Sequence, residues 1–252
     1  MILADVAAVS RLIRDSFSAE VRSFMTYTQH GIAAFLSVPL KYPEADPDRH
    51  FLVALDAGRP QVIAGFAEFR VVAGKVGFLS YVCVAELFRG RGVARTLLSS
   101  FRKENQELQG LQLDVFRDNS PAKSLYRKLG FETESAVAWV TRSTPRPSGF
   151  VKIRALPMAI ASHSVYGFCE MAVVNESGET RIGLIGGEVL RCFAFESFID
   201  DVLLSGVSRL FPSVRTALAI LPVDTLSDIS TSHRVINYSD RMYLSRDGLS
   251  AL

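Results

Sequence analysis

One stretch constrains the fold more than any other: Tyr81 to Ala94, YVCVAELFRGRGVA. Its apolar, β-branched run to Ala85 predicts a strand. Glu86-Leu87-Phe88 and Arg89-Gly90-Arg91-Gly92-Val93-Ala94 follow, and Arg95 to Lys103 is good helix-forming sequence. A strand therefore runs through a glycine-bearing turn into a helix. The N–H groups at a helix start are unpaired and carry the positive end of the helix dipole, so such a turn suits phosphate oxygens. Gly90 and Gly92 permit close backbone approach, and Arg89, Arg91 and Arg95 add positive charge. The same pattern also describes an ordinary turn whose glycines serve only geometry. No Gly-Lys-Ser/Thr follows, and the spacing is not G-x-G-x-x-G, so neither well-known nucleotide loop applies.

Around this stretch the pattern alternates between helix and strand periods. Val6, Val9, Leu12, Ile13 and Phe17 predict a helix over 4–17, and Val21 to Val38 one or two more, stopped by Pro39. His50–Leu55, Gln61–Val72 and Val76–Ala85 read as strands joined by short turns, an antiparallel meander. A helix over 92–107, a strand over 111–116 and a helix over 120–129 follow. Two short strands are expected in 131–141. The segment 142–149 is rich in Pro, Ser and Arg and reads as a linker. It divides the chain into domains at 1–141 and 150–252.

Beyond the linker, strands are expected at 165–174, 180–185, 188–195 and 216–221, with a turn at Asn175-Glu176-Ser177-Gly178. A helix is expected at 199–211, and two short strands at 234–237 and 241–245. This order copies the first half. A shift of 106 positions lays Leu203-Leu204-Ser205 on Leu97-Leu98-Ser99, and the strand 217–222 on 111–116 without a gap. That register sets the Arg/Gly loop opposite Phe195 to Asp200, which lacks glycine and carries Glu196, with Asp201 next. Carboxylates there suit the helix dipole but repel a pyrophosphate. Residues 1–149 hold 19 Lys/Arg against 15 Asp/Glu, and residues 150–252 hold 9 against 11. The basic half is the one with the loop.

With a net charge of only +2 over 252 residues, a generic nucleic-acid partner is disfavoured. Cys83, Cys169 and Cys192 are scattered among apolar residues, and the histidines are far apart, so neither a disulfide framework nor a local metal site is expected. Buried free thiols suit a reducing cytoplasm. Charges in the first turns interrupt any signal-peptide core, and no stretch is long and apolar enough to span a membrane.

Residues 1–141 resemble the GCN5-related N-acetyltransferase (GNAT) superfamily. Arg89-Gly90-Arg91-Gly92-Val93-Ala94 is similar to the family's Arg/Gln-x-x-Gly-x-Gly/Ala pyrophosphate loop. LDVFRDNSPAKSLYRKLGF, residues 113–131, matches L-x-V-x-x-x-N-x-x-A-x-x-x-Y-x-x-x-G-F at Asn119, Ala122, Tyr126 and Gly130-Phe131. The resemblance implies an α+β fold, a central and mostly antiparallel sheet flanked by helices, with a degenerate GNAT-like second half lacking the two N-terminal helices. It implies acetyl-CoA, or another acyl-CoA, as co-substrate. The strand holding Val82 and Val84 would splay from the strand holding Leu113 and Val115, backbone groups of Val82 and Val84 would pair with the pantetheine arm in that wedge, and the amides of Arg91 to Ala94 would take the pyrophosphate. Asn119 would bond the cofactor arm or cap its helix. Tyr126 would protonate the departing thiolate, although it shares a helix face with Ala122 and Leu129, as a core tyrosine does. Glu68 is the strand carboxylate best suited as base, or else faces solvent.

The implied reaction is direct attack of an amine on the thioester. A small-molecule amine is the leading acceptor; a protein or peptide amine, an aminoacyl-tRNA donor and a non-catalytic acyl-CoA sensor are the alternatives. A homodimer is compatible with these readings.

Overall fold

The computed structural model describes residues 1–175, 178–250 and 252. In chain order the elements are α1 Val6–Asp15, α2 Ala19–Arg22, α3 Ile32–Lys41, β1 Arg49–Asp56, β2 Arg59–Val72, β3 Val76–Val84, α4 Val93–Glu104, β4 Gly110–Phe116, α5 Ser120–Lys128 and β5 Glu132–Ser143. Then come β6 Lys152–Ile153, α6 Leu156–Tyr166, β7 Phe168–Asn175, β8 Gly178–Ile185, β9 Val189–Cys192, α7 Phe195–Ile199, α8 Asp201–Leu210, β10 Thr216–Pro222, β11 Arg234–Ser245 and α9 Arg246–Leu249. They form two compact units. One contains residues 1–18, 35–135 and 239–252, the other 19–34 and 136–238.

In the first unit β1, β2 and β3 make the expected antiparallel meander, β4 joins β3 in parallel, and Ser239–Ser245 of β11 pairs antiparallel with β4. α4 presents Leu97, Leu98 and Phe101 to this sheet, one stripe at helical spacing, against Phe69, Leu79, Leu111 and Leu113. Phe101 stacks on Phe69 with ring centroids 4.1 Å apart. Each such buried side chain contributes about 1.5–3 kcal/mol relative to exposure. Gly65 lets the start of α4 sit close to β2: a Cβ there would lie 2.7 Å from Val93 Cγ1 and 3.1 Å from the Cys83 carbonyl oxygen. α1 packs on β2 and β3, with Val9 and Ile13 fully buried.

The second unit repeats the pairing logic. β7, β8 and β9 are antiparallel, β10 joins β9 in parallel, and β5 pairs antiparallel with β10. Leu203, Leu204 and Val207 of α8 bury with Leu190, Ala217 and Ala219. β4 and β10 lie 106 positions apart at both ends, the register of the internal repeat. The strand beside β4 is β11, from the end of the chain, and the strand beside β10 is β5, from the first half. The compact units thus cut across the sequence division at 142–149.

Several local expectations are corrected. Residues 132–143 form one strand, as do 234–245, because both are long enough to run the full width of the pairing. Pro39 lies within the last turn of α3, which ends two residues later. Residues 165 and 166 close the helix α6, so a helix does precede the strands of the second half. Its sequence, LPMAIASHSVY, is apolar on every side and shows no helical period. The helix expected at 199–211 is broken at Asp200, which leaves the helical region and caps α8 instead. Glu176 and Ser177 of the expected turn lie outside the described residues.

Candidate active site

The Arg/Gly loop leaves β3 through a tight turn. Phe88 N–H donates to the Ala85 carbonyl at 2.8 Å, and Arg89 N–H to that of Glu86 at 3.2 Å. Phe88 is buried and anchors the turn, and the Arg91 guanidinium lies 5.7 Å from its ring centroid. Gly90 and Gly92 have φ of +72° and +81°, the left-handed region that a side chain disfavours. A Cβ at either would meet nothing within 4 Å. The loop's own conformation therefore requires glycine, and the space above it is open to a ligand. Gly92 is the N-cap of α4 and offers no side-chain oxygen to the first-turn amides. The first helical bond runs from Thr96 N–H to the Gly92 carbonyl at 2.9 Å.

Beside the loop the sheet splays. β3 and β4 are registered from Val76/Gly110 to Leu79/Leu113, yet β3 continues to Val84 and β4 to Phe116. The divergence begins at a bulge. Phe69 faces Leu79 and Glu68 faces Tyr81, so Ser80 is the extra residue on β3. Ala85 N–H donates to the Ala64 carbonyl on β2 at 2.9 Å. Backbone groups alternate along a strand, so those of Val82 and Val84 face away from β2, toward the splay. The Arg89 Nε–H donates to the Val84 carbonyl at 3.3 Å, in keeping with that direction.

The remaining site residues meet different fates. Tyr126 is buried on α5, 4% exposed, with its ring edge-on to Phe131 at 5.6 Å. Burial first, then the neighbouring Cys83 thiol, pushes the phenol well above its usual pKa, so it holds its proton through the physiological range. Cys83 is buried on β3, and burial pushes its thiol up to about 11, against a hydrogen bond with Ser16. Asn119 is the N-cap of α5, accepting a hydrogen bond from Ala122 N–H at 3.2 Å, the capping half of its expected role.

Glu68 does not face solvent: it is 1% exposed, with Arg49 Nε at 3.8 Å and Arg70 Nε at 3.5 Å. Arg49 is itself paired with Asp46 at 2.8 Å and lies 5.4 Å from the Phe35 ring. This network and the Ser80 bulge were not legible beforehand. Arg49, Glu68 and Arg70 look like ordinary alternating surface charges in sequence.

The second unit closes the equivalent position with its own side chains. Asp200 caps α8 by accepting from Leu203 N–H at 2.9 Å, and Asp201 pairs with the buried Arg142, which also donates to the Phe198 carbonyl at 3.3 Å. β9 is short and pairs with β10 along its whole length, Val189 to Cys192, and α7 begins three residues later at Phe195. The Cys192 thiol is pushed up to about 12 by burial.

Known proteins share both sequence and fold with this chain. Residues 8–131 match the profile of the Acetyltransferase (GNAT) family. A stretch of 125 residues is 34% identical to GCN5-related N-acetyltransferase 7, chloroplastic, of Arabidopsis thaliana; the match spans 46% of this chain and 46% of that relative's length. Over nearly the whole chain, the fold is similar to a tandem GNAT protein from the clavulanic acid biosynthesis pathway, with a TM-score of 0.61, 13% identity and 96% of each chain covered. It is also similar to a GCN5-related N-acetyltransferase from Sphaerobacter thermophilus, with a TM-score of 0.60, 12% identity, and 98% of this chain and 94% of that one covered. Residues 8–131 thus match the GNAT acetyltransferase family, and the chain has the fold seen in a tandem GNAT protein.

Proposed function

We propose that the protein is an acetyl-CoA-dependent N-acyltransferase that acetylates the amine of a small molecule. The observation that carries this reading is the pairing of two features in the first unit: a left-handed double-glycine turn open above an uncapped helix start, and a splay between β3 and β4 beside it. The turn suits two phosphates and the splay suits an extended arm. The bound thioester supplies the acetyl group. The first-turn amides of α4 and Arg91 hold the pyrophosphate, and the backbone of Val82 and Val84 holds the arm as an added strand.

Tyr126 is assigned the proton that goes to the departing sulfur; burial keeps that proton in place at neutral pH and also makes the phenol the weaker acid. Direct attack by the amine fits better than an acylated cysteine, because the Cys83 thiol, at about 11, is almost wholly protonated near neutrality. Glu68 in this scheme takes the amine proton or orders the water that does; its ion pairs with Arg49 and Arg70 hold the carboxylate in place and favour the second role. In the division of labour we propose, 1–141 is the catalytic domain and 150–252 a degenerate copy that binds no cofactor. The buried free cysteines fit a reducing compartment such as the cytoplasm.

A second reading, a non-catalytic acyl-CoA-binding module, draws on the same ion-paired state of Glu68. Thiol release from acetyl-CoA, screened over small amines, separates the two. Amine-dependent release supports the enzyme; cofactor binding without release from any amine supports the module.

A further inference from the structure

The site described uses one side of α5 and leaves the other unexplained. Ala122, Leu125, Tyr126 and Leu129 form its apolar stripe and pack into the core. Ser120, Lys123, Ser124, Arg127 and Lys128 form the opposite stripe, at spacings i, i+3, i+4, i+7 and i+8. A solvated cationic face is the plain reading of such a stripe, but here it lines a groove. With Arg117, these residues line an open groove of about 280 Å³, and no acidic residue is among them. Asp240, 6% exposed, stands behind it with Arg117 Nη2 at 3.0 Å and Lys123 Nζ at 2.5 Å.

Burial alone would raise the Asp240 carboxyl; Lys123 and Arg117 outweigh it and hold it below the usual carboxylate range. One carboxylate thus fixes two cations while four surround the groove, a local excess of positive charge. Asp240 lies on β11, which pairs with β4, whereas the splay lies between β4 and β3. The groove is therefore not part of the splay.

We propose that this groove is a second anion site, which takes the phosphate group of a small phosphorylated ligand. Arginine and lysine N–H groups and the two serine hydroxyls are phosphate donors, and a dianion offsets most of the excess charge. The groove's volume suits a small molecule rather than an extended acidic segment. Asp240 is the positioning residue that sets Arg117 and Lys123.

The test is a titration of the full chain with inorganic phosphate at constant ionic strength, with acetyl-CoA present in excess to fill the Arg/Gly loop. Thermal stability should rise saturably with phosphate. Arg127→Glu/Lys128→Glu should weaken the apparent phosphate affinity by about tenfold or more, as expected for two lost charge-assisted contacts, and keep the stabilisation by acetyl-CoA. That retained response also reports that the variant is folded. Absence of a saturable rise, or an unchanged affinity in the variant, overturns the proposal. A parallel titration uses acetyl-dephospho-CoA. If phosphate binds only with this analogue, the groove belongs to the cofactor's own 3′-phosphate, and a separate site is refuted. Failure of acetyl-CoA itself to bind strikes the proposed function and leaves the phosphate titration readable.

Discussion

Replacing Gly92 with alanine separates what the loop needs for its own fold from what it needs for a ligand. A Cβ at Gly92 meets nothing within 4 Å, so the protein contributes no steric term. The cost is left-handed strain alone, at φ +81°, about 1–2 kcal/mol. Gly74 supplies a control. It has φ +76°, its Cβ also meets nothing within 4 Å, and it lies in the turn between β2 and β3, away from the loop. Gly92→Ala and Gly74→Ala should therefore lower the melting temperature by similar amounts, about 2–4 °C per kcal/mol.

They should differ once acetyl-CoA is added. At a concentration 100 times its dissociation constant, a ligand stabilises the folded chain by about 2.7 kcal/mol. A methyl group in the open space above the loop should weaken binding at least tenfold, removing about 1.4 kcal/mol or half of that increment. Thermal unfolding with and without acetyl-CoA reads both effects. A full wild-type increment in Gly92→Ala, or a lost one in Gly74→Ala, would refute the assignment of the loop.

Other consequences are equally open to measurement. Tyr126→Phe keeps the ring against Phe131 and should change stability by less than about 1 kcal/mol, while turnover falls about a hundredfold or more if the phenol is the acid; unchanged turnover would leave it a core residue. Gly65→Ala should destabilise by about 1–3 kcal/mol in chemical denaturation, because Val93 is β-branched and cannot swing aside; a neutral effect would show that α4 is not seated on that glycine. Asp240 has a depressed pKa, so its ion pairs contribute stability above the usual carboxyl value of about 4 and lose it as pH falls through the lower folded value. Asp240→Asn should therefore lower stability at neutral pH and flatten the acid limb of the pH–stability curve; parallel curves for variant and wild type would contradict this.

The ability to read this fold from sequence followed the strength of the local signal. α4 and α5 were legible because each carries one apolar stripe, and β4 and β10 because each is a short apolar run in repeat register. α6 was hidden because its residues are apolar on all sides, so it has no period to detect. The loop was legible because the backbone states it demands are ones glycine favours. The splay was expected through the family resemblance alone; its local cause, one extra residue at Ser80, was hidden because that side chain carries no mark of a bulge. Glu68 alternates with apolar neighbours as a solvent-facing residue would, and only the tertiary approach of Arg49 shows its carboxylate to be buried and paired. The partner strands of each unit, β11 and β5, come from the other half of the chain, and no local pattern encodes that exchange.

The first copy alone is expected to hold the cofactor, since its helix start is open while Asp200 and the Arg142–Asp201 pair fill the second. Isothermal titration of the full chain with acetyl-CoA counts the sites. One binding site per chain is expected, abolished by Arg91→Glu together with Gly92→Ala and untouched by Asp200→Ala. Two sites per chain, or one that survives the loop changes, would contradict it.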